Sequence, residues 1–237
     1  SLPGRFTTGT SALDADGNYV LTGIHINGAS RELLVARFDP DGNLDTSLDG
    51  DGWVTLNPLG GNQEARAVHI QPSGGILVAG WLQDGADIDF LLARFNPDGS
   101  PDTSFSGDGW RRMDVDGGTD MFYGLHRLDS GLILASGQTQ DTGVTQESAL
   151  VRFNSNGSTD TSFATNGIFT REMGDNDLAR NLTVLPDGRI VLIGYSGISP
   201  NRDGYVMLLD EDGSLDASFD TDGIAELDLG GDETLID

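Results

Sequence analysis

Aspartate is the residue with the most capacity for chemistry in this chain, and it recurs in one setting. That setting is DPDGNLDTSLDGDGW at residues 39–53, NPDGSPDTSFSGDGW from Asn96, NSNGSTDTSFATNGI from Asn154 and DEDGSLDASFDTDGI from Asp210. Carboxylates this dense could hold calcium, which takes six to eight oxygen ligands. The candidates are Asp39, Asp41 and Asp45 in the first copy and Asp210, Asp212 and Asp216 in the fourth, because only those copies keep a carboxylate at all three positions. The helix-loop-helix calcium signature is not met: it wants a carboxylate or amide two residues before D-x-D-G, where Arg37, Arg94, Arg152 and Leu208 stand. The same residues also make a tight turn. Gly42, Gly99, Gly157 and Gly213 supply positive φ, and Asp39 or its Asn equivalents accept backbone hydrogen bonds two residues on. Asp45, Asp102, Asp160 and Asp216 would cap a single helical turn whose following Leu or Phe plugs the sheet edge. The turn reading accounts for all four copies, and it pairs Arg37, Arg94 and Arg152 with the repeated aspartate. Calcium stays open as a cofactor for the first and last copies.

A second set of residues could bind a ligand. Directly after a glycine shared by every copy stand Ile24, Trp81, Gln138 and Tyr195, four unlike residues at one repeated position. Trp81, Gln138 and Tyr195, flanked by Asp84, Asp87, Asn201, Arg202 and Asp203, combine aromatic faces with hydrogen-bonding groups, which suits a sugar ring or a peptide. The alternative is that each aromatic covers its own sheet edge. Catalytic signatures are sparse: the chain has no Cys, no Gly-x-Ser-x-Gly elbow and no phosphate loop. His69 and His126 share a repeat position, which reads as structural, and His25 is read as a loop residue.

These residues must be positioned by a repeated element. Phe38, Phe95, Phe153 and Leu209 are spaced 57, 58 and 56 apart, as are Trp53, Trp110, Ile168 and Ile224, while Gly23, Gly80, Gly137 and Gly194 are spaced 57 throughout. Each unit resolves into four short segments, in the second copy EARAVHIQ, GILVAGW, DFLLARF and GWRRMDV, bounded by Gly, Asp, Asn and Pro. None has helical periodicity over a sufficient window. Four strands per unit predict an all-β protein, a β-propeller of four tandem four-stranded blades of about 57 residues. The blades fall at about 6–60, 61–117, 118–174 and 175–231 of a single domain, with 232–237 either starting a further repeat or closing the ring. The run QPSGGILVAG followed by LLARFNPDGSPDTSFSGDG resembles the delta-60 repeat of bacterial exported and surface proteins. That resemblance covers essentially the whole chain and implies a propeller; it carries over no catalytic residues. The fourth copy departs from the pattern at Leu208.

Composition narrows the partners. Thirteen Lys+Arg stand against 38 Asp+Glu, a net charge of -25, and every cation of the pair is arginine. Nucleic acid and anionic membrane surfaces are disfavoured, since both rely on clustered cations. The longest apolar runs, such as ILVAGWL, fall far short of the ~20 residues that cross a bilayer. The chain opens on Ser, which is read as the trace of a removed upstream segment. The expectation is therefore a non-catalytic extracellular or cell-surface module for adhesion or assembly, binding a carbohydrate, peptide or protein. The alternatives are a divalent-metal-dependent hydrolase or lyase with its site at the channel mouth, and a scaffold within a longer multi-repeat protein.

Overall fold

The computed structural model describes residues 6–115, 117–140 and 145–235. The chain divides into two compact units, Ser1–Asp114 and Val115–Asp237. Each unit holds two four-stranded antiparallel sheets. In unit 1 these are β1 Phe6–Leu13, β2 Tyr19–Asn27, β3 Ser30–Phe38 and β4 Trp53–Leu56, then β5 Gln63–Ile70, β6 Ile76–Asp84, β7 Asp87–Phe95 and β8 Trp110–Met113. In unit 2 they are β9 Met121–Arg127, β10 Ile133–Gln140, β11 Gln146–Phe153 and β12 Ile168–Arg171, then β13 Leu178–Val184, β14 Ile190–Ile198, β15 Asn201–Leu209 and β16 Ile224–Leu227. Strands follow sequence order in every sheet, so each sheet is a propeller-blade meander.

The central strands β6, β7, β10 and β11 are buried on both faces, which explains why they read as continuous apolar runs, whereas β14 alternates buried and half-buried positions. In β6 the residues from Ile76 to Leu82 are all buried, and β4, β8, β12 and β16 are short and partly exposed. The core of unit 1 gathers Leu33, Val35, Leu48, Ile76, Val78, Leu91 and Phe95; that of unit 2 gathers Leu134, Leu150, Phe163, Leu192, Tyr205 and Met207. Leu48, Phe105 and Phe163 are fully buried, as expected of the plugs.

Where the innermost strand meets the second, the register slips by one residue in all four sheets. The shared glycine lies at this bulge. A Cβ on Gly80 would meet Glu64 O at 1.9 Å, one on Gly137 Met121 O at 2.0 Å, and one on Gly194 Leu178 O at 1.9 Å. Only a residue without a side chain lets the bulged backbone pass so closely.

The acidic turns take the expected glycine conformation, but the amide two residues on is accepted by Asp98, Asn156 and Asp212, not by Asn96, Asn154 or Asp210, and Asp39 accepts that of Asn43 four residues on. Gly42, Gly99, Gly157 and Gly213 have φ of 84–90°. The segment after each is a turn and not a helix, closed by bonds such as Leu48 N to Asp45 O (3.0 Å) and Phe105 N to Asp102 O (2.9 Å). The residue after each plug lies in the left-handed region: Asp49, Ser106, Ala164 and Asp220. Its amide reaches the neighbouring blade, Asp49 N donating to Asp98 O (2.8 Å) in unit 1 and Ala164 N to Asp212 O (2.7 Å) in unit 2. Thr221 also has a positive φ, 73°, where Gly50 and Gly107 stand in the first two copies. A β-branched side chain is strained there. Thr221→Gly is expected to stabilise unit 2 by about 1 kcal/mol, read as a rise in the denaturation midpoint; an unchanged midpoint would mean that this turn stores no strain.

Candidate functional site

Each of the first three copies builds a clamp from the third-strand arginine. Arg37 Nε donates to Asp45 Oδ2 (2.6 Å), Arg94 Nε to Asp102 Oδ2 (2.7 Å) and Arg152 Nε to Asp160 Oδ2 (2.8 Å). Their second terminal nitrogens reach Ser47, Ser104 and Ser162 Oγ, and the other Oδ of each aspartate accepts that serine's amide and hydroxyl. Arg94 and Arg152 also lie over the Phe105 and Phe163 rings, 4.8 and 4.6 Å from the centroids. Arg37 Nη1 donates to Pro97 O and Arg152 Nη1 to Glu211 O, each in the next blade. Burial pushes the Asp45 carboxyl up, but the Ser47 bonds and the Arg37 guanidinium outweigh it and the net shift is down; Asp102 behaves alike. In the fourth copy, where Leu208 replaces the arginine, Asp216 pairs instead with Arg189 Nη1 (3.0 Å), which reaches it from the turn before β14.

These bonds decide what the calcium candidates do in the structure. Asp39 accepts from the Asn43 amide and side chain, Asp45 is held by Ser47 and Arg37, Asp212 by Ser214, and Asp216 by Ser218 and Arg189. Asp41 and Asp210 lie on the same two turns, and Asp45 lines a cleft of about 510 Å³ in unit 1 with Asp14, Asp16 and Asp98. Among the described residues, none of the six belongs to a group of three ligand atoms within 4.8 Å of one another.

The connections between second and third strands are shorter than the sequence suggests. Asn27 pairs with Ser30, Asp84 with Asp87 and Ile198 with Asn201, so three of the four are two-residue hairpins; the fourth lies outside the described residues. His25 accordingly belongs to β2, where it contacts Glu32 (3.3 Å) and lies against Trp53 with the rings tilted by 49°, so it is not a loop residue. The residue after the shared glycine faces inward in three copies: Ile24, Trp81 and Gln138 are 6, 8 and 5% exposed. Trp81 and Gln138 therefore offer no open stacking face. Asp84 pairs with Arg112, and Asp87 is exposed at its hairpin.

Tyr195 differs. It is half-buried, and the Arg202 guanidinium lies 4.6 Å over its ring. Next to it the first residues of β15 meet the segment after β16. Asp203, Asp228 and Glu233 each bring a carboxylate oxygen within 4.8 Å of the others. That segment is held where Glu233 N donates to Arg202 O (2.7 Å), Ser199 Oγ donates to Asp232 Oδ2 (2.8 Å) and Arg202 Nε pairs with Asp232 Oδ1 (3.9 Å). Asp228 Oδ1 accepts the Gly230 amide (2.8 Å), while Glu233 Oε2 is shut off from solvent and has no hydrogen-bond partner. No arginine or histidine among the described residues forms an ion pair with any of the three.

Sequence reading names Asp203 but misses Asp228 and Glu233. The signal is present. Glu32, Asp89, Glu147 and Asp203 recur at spacings 57, 58 and 56, and Asn57, Asp114, Glu172 and Asp228 stand at the matching place after the fourth strand. In unit 1 the equivalent Asp89 is fully buried; burial raises its carboxyl pKa although Arg112 Nε donates to it at 2.7 Å.

The family model described as "Domain of unknown function (DUF5122) beta-propeller" matches residues 15–48, 71–105, 130–163 and 185–219, more than half of the chain. The chain belongs to this β-propeller family. No curated protein matches it. Among solved structures it is similar to MPT-4, a mannose phosphorylase from Leishmania mexicana, at 14% identity over 91% of this chain and 73% of that one, with TM-score 0.47. It is also similar to the catalytic domain of a GH62 α-L-arabinofuranosidase from Coprinopsis cinerea (14%, 91% and 69%, TM-score 0.42) and to a glycosyl hydrolase from Bacteroides ovatus (13%, 98% and 68%, TM-score 0.37). These similar structures are of carbohydrate-active enzymes, in contrast to the non-catalytic binding or assembly module expected from the sequence. At these identities and TM-scores they assign no residue a role.

Proposed function

We propose that this propeller is a glycan-processing protein whose working face is built from the β14–β15 hairpin and the segment after β16. The observation that carries the reading is the grouping of Asp203, Asp228 and Glu233 within 4.8 Å beside Tyr195 and Arg202. Cleavage of a glycosidic bond passes through an oxocarbenium-like state and is served by a pair of carboxylates, one handling the proton and one facing the developing positive charge. Three uncompensated carboxylates supply that field. Glu233, with one oxygen held away from water, takes the proton-handling role, and the exposed Asp228 faces the sugar ring. Tyr195 flanks the group with an aromatic edge, and Asn201 offers an exposed amide for sugar hydroxyls. The bacterial, exported or cell-surface setting implied by the delta-60 resemblance is part of the same proposal.

The test is turnover by the purified protein on mannan and arabinoxylan oligosaccharides, with and without inorganic phosphate and with a chelator present throughout. Asp228→Asn and Glu233→Gln are expected to lower kcat by about 10²-fold or more, while Asp39→Asn leaves it unchanged. Absence of turnover on every glycan, or variants as active as the parent, would remove the reading.

A further inference from the structure

We propose that the outer edge of the third blade carries a second carbohydrate site, a cleft for neutral sugar residues built on Thr165, Asn166 and Thr170. The cleft lies wholly in unit 2, holds about 740 Å³ and follows β12, the open edge strand of its sheet. That volume falls within the range of sites that take small ligands. Neither Tyr195 nor any of the three carboxylates beside it lines the cleft, so the two sites are distinct.

The third copy differs from the others at this turn, and the difference frees a side chain. Where Asn166 stands, the other copies have Asp51, Asp108 and Asp222. Each of these folds Oδ1 back to accept the amide two residues on, from Trp53 N at 3.3 Å, Trp110 N at 3.3 Å and Ile224 N at 3.0 Å. In the third copy the main chain satisfies that amide instead. Ile168 N donates to Thr165 O and Thr165 N to Ile168 O, both at 3.1 Å, which closes a two-residue hairpin over Asn166 and Gly167. The two tip residues have φ of 54° and 95°, as such a hairpin requires, and asparagine tolerates that region better than most residues. The Asn166 carboxamide is thereby released from local duty while its backbone stays fixed. Its side chain and those of Thr165 and Thr170 make no hydrogen bond among the described residues, and all three are exposed at the cleft.

The same replacements remove charge. Asp49 and Asp51 of the first copy, and Asp220 and Asp222 of the fourth, give way to Ala164 and Asn166. Among the described residues the one carboxylate lining the cleft is Asp212, whose Oδ1 already accepts the Ser214 amide (2.9 Å) and hydroxyl (2.6 Å). No arginine lines it. In a chain of net charge -25 such a cleft suits neither a metal ion nor an anion. What it offers is neutral: hydroxyls and a carboxamide that donate and accept at once, as sugar hydroxyls do, with Phe169 and Leu215 as an apolar wall for the C–H face of a ring. A peptide added to the edge of β12 would be held through main-chain atoms, of which a four-residue strand has few, and would make no use of the freed Asn166.

The test is native gel electrophoresis through mannan or arabinoxylan, with polygalacturonate as the anionic control. It is run on the Asp228→Asn, Glu233→Gln double variant, so that the carboxylate face is disabled. At least one neutral glycan is expected to retard migration, and polygalacturonate is not. Asn166→Asp, which restores the residue of the other three copies, and Thr165→Ala with Thr170→Ala should each weaken the apparent affinity about tenfold, with the denaturation midpoint of each variant confirming that it is folded. No retardation by either neutral glycan, retardation unchanged by both sets of substitutions, equal retardation by polygalacturonate, or binding of a neutral threonine–valine peptide in place of the glycans would each overturn the proposal. Retardation without turnover by the parent protein sinks only the glycan-processing reading, and turnover without retardation sinks only this cleft.

Discussion

Replacing Gly137 with alanine is expected to destabilise unit 2 by about 3 kcal/mol, lowering the chemical denaturation midpoint and leaving little native protein well below the parent's transition. Two effects oppose each other at this position. Gly137 has no positive φ, so alanine alone would restrict the unfolded chain and gain about 0.4–1 kcal/mol. Against that, the new Cβ would sit 2.0 Å from Met121 O, and backbone on a bulge has nowhere to move without breaking the β9–β10 pairing. The clash wins. Gly85→Ala is the informative control, because Gly85 has φ 64° and a methyl group added there would meet nothing within 4 Å, so its cost is conformational only, about 1–2 kcal/mol. Equal midpoint shifts for the two variants would mean that the shared glycine serves chain flexibility and not close approach.

The second large effect is expected at the clamp. Arg152→Leu should cost about 3 kcal/mol, since it strips Asp160, Ser162 and Glu211 O of one shared donor and uncovers the Phe163 ring. The fourth blade indicates how to repair it. There the arginine is at position 189, one residue before β14, and Leu132 is the corresponding residue before β10. Adding Leu132→Arg to Arg152→Leu should restore a substantial part of the loss, measured as the coupling in a double-mutant cycle; additive penalties would show that the two arginines are not interchangeable. The clamp also sets an acid limit. The Ser162 hydroxyl, ahead of the Ser162 amide and Arg152, holds the Asp160 carboxyl below its usual value against the opposing effect of burial. With the folded pKa below the unfolded value of about 3.9, the stabilisation is complete above that value and is lost as pH falls through the folded pKa. The parent should therefore lose stability steeply below about pH 4, and Arg152→Leu should lose less over the same interval.

The fold is legible because its strongest constraints are local and repeated. Phe38, Phe95, Phe153 and Leu209 mark where the third strand ends, and the turn glycines that follow have the positive φ assigned to them. The pairing of Arg37, Arg94 and Arg152 with Asp45, Asp102 and Asp160 is legible for the same reason, as both partners recur at a fixed separation of eight residues. The candidate site reads less well. Trp81 and Gln138 pass for rim residues because they vary between copies, yet variation at a repeated position also arises when neighbouring side chains pack differently, and both are buried. Asp228 and Glu233 escape because they lie five residues apart in the segment after the last strand, where no strand pattern marks them. Their nearness to Asp203 depends on a sheet register that spacing alone does not give.

The left-handed residues after the plugs have a consequence for how such a protein can change. Asp49 and Ala164 tie one blade to the next through main-chain atoms, N–H to C=O, and a point mutation cannot delete those atoms. Neighbouring blades are thus fastened by a joint that is blind to side-chain identity. Whole repeats could be exchanged or duplicated by recombination with their fastening intact, leaving selection free to rewrite the carboxylate positions of one blade while another keeps an amide, as at Asn57.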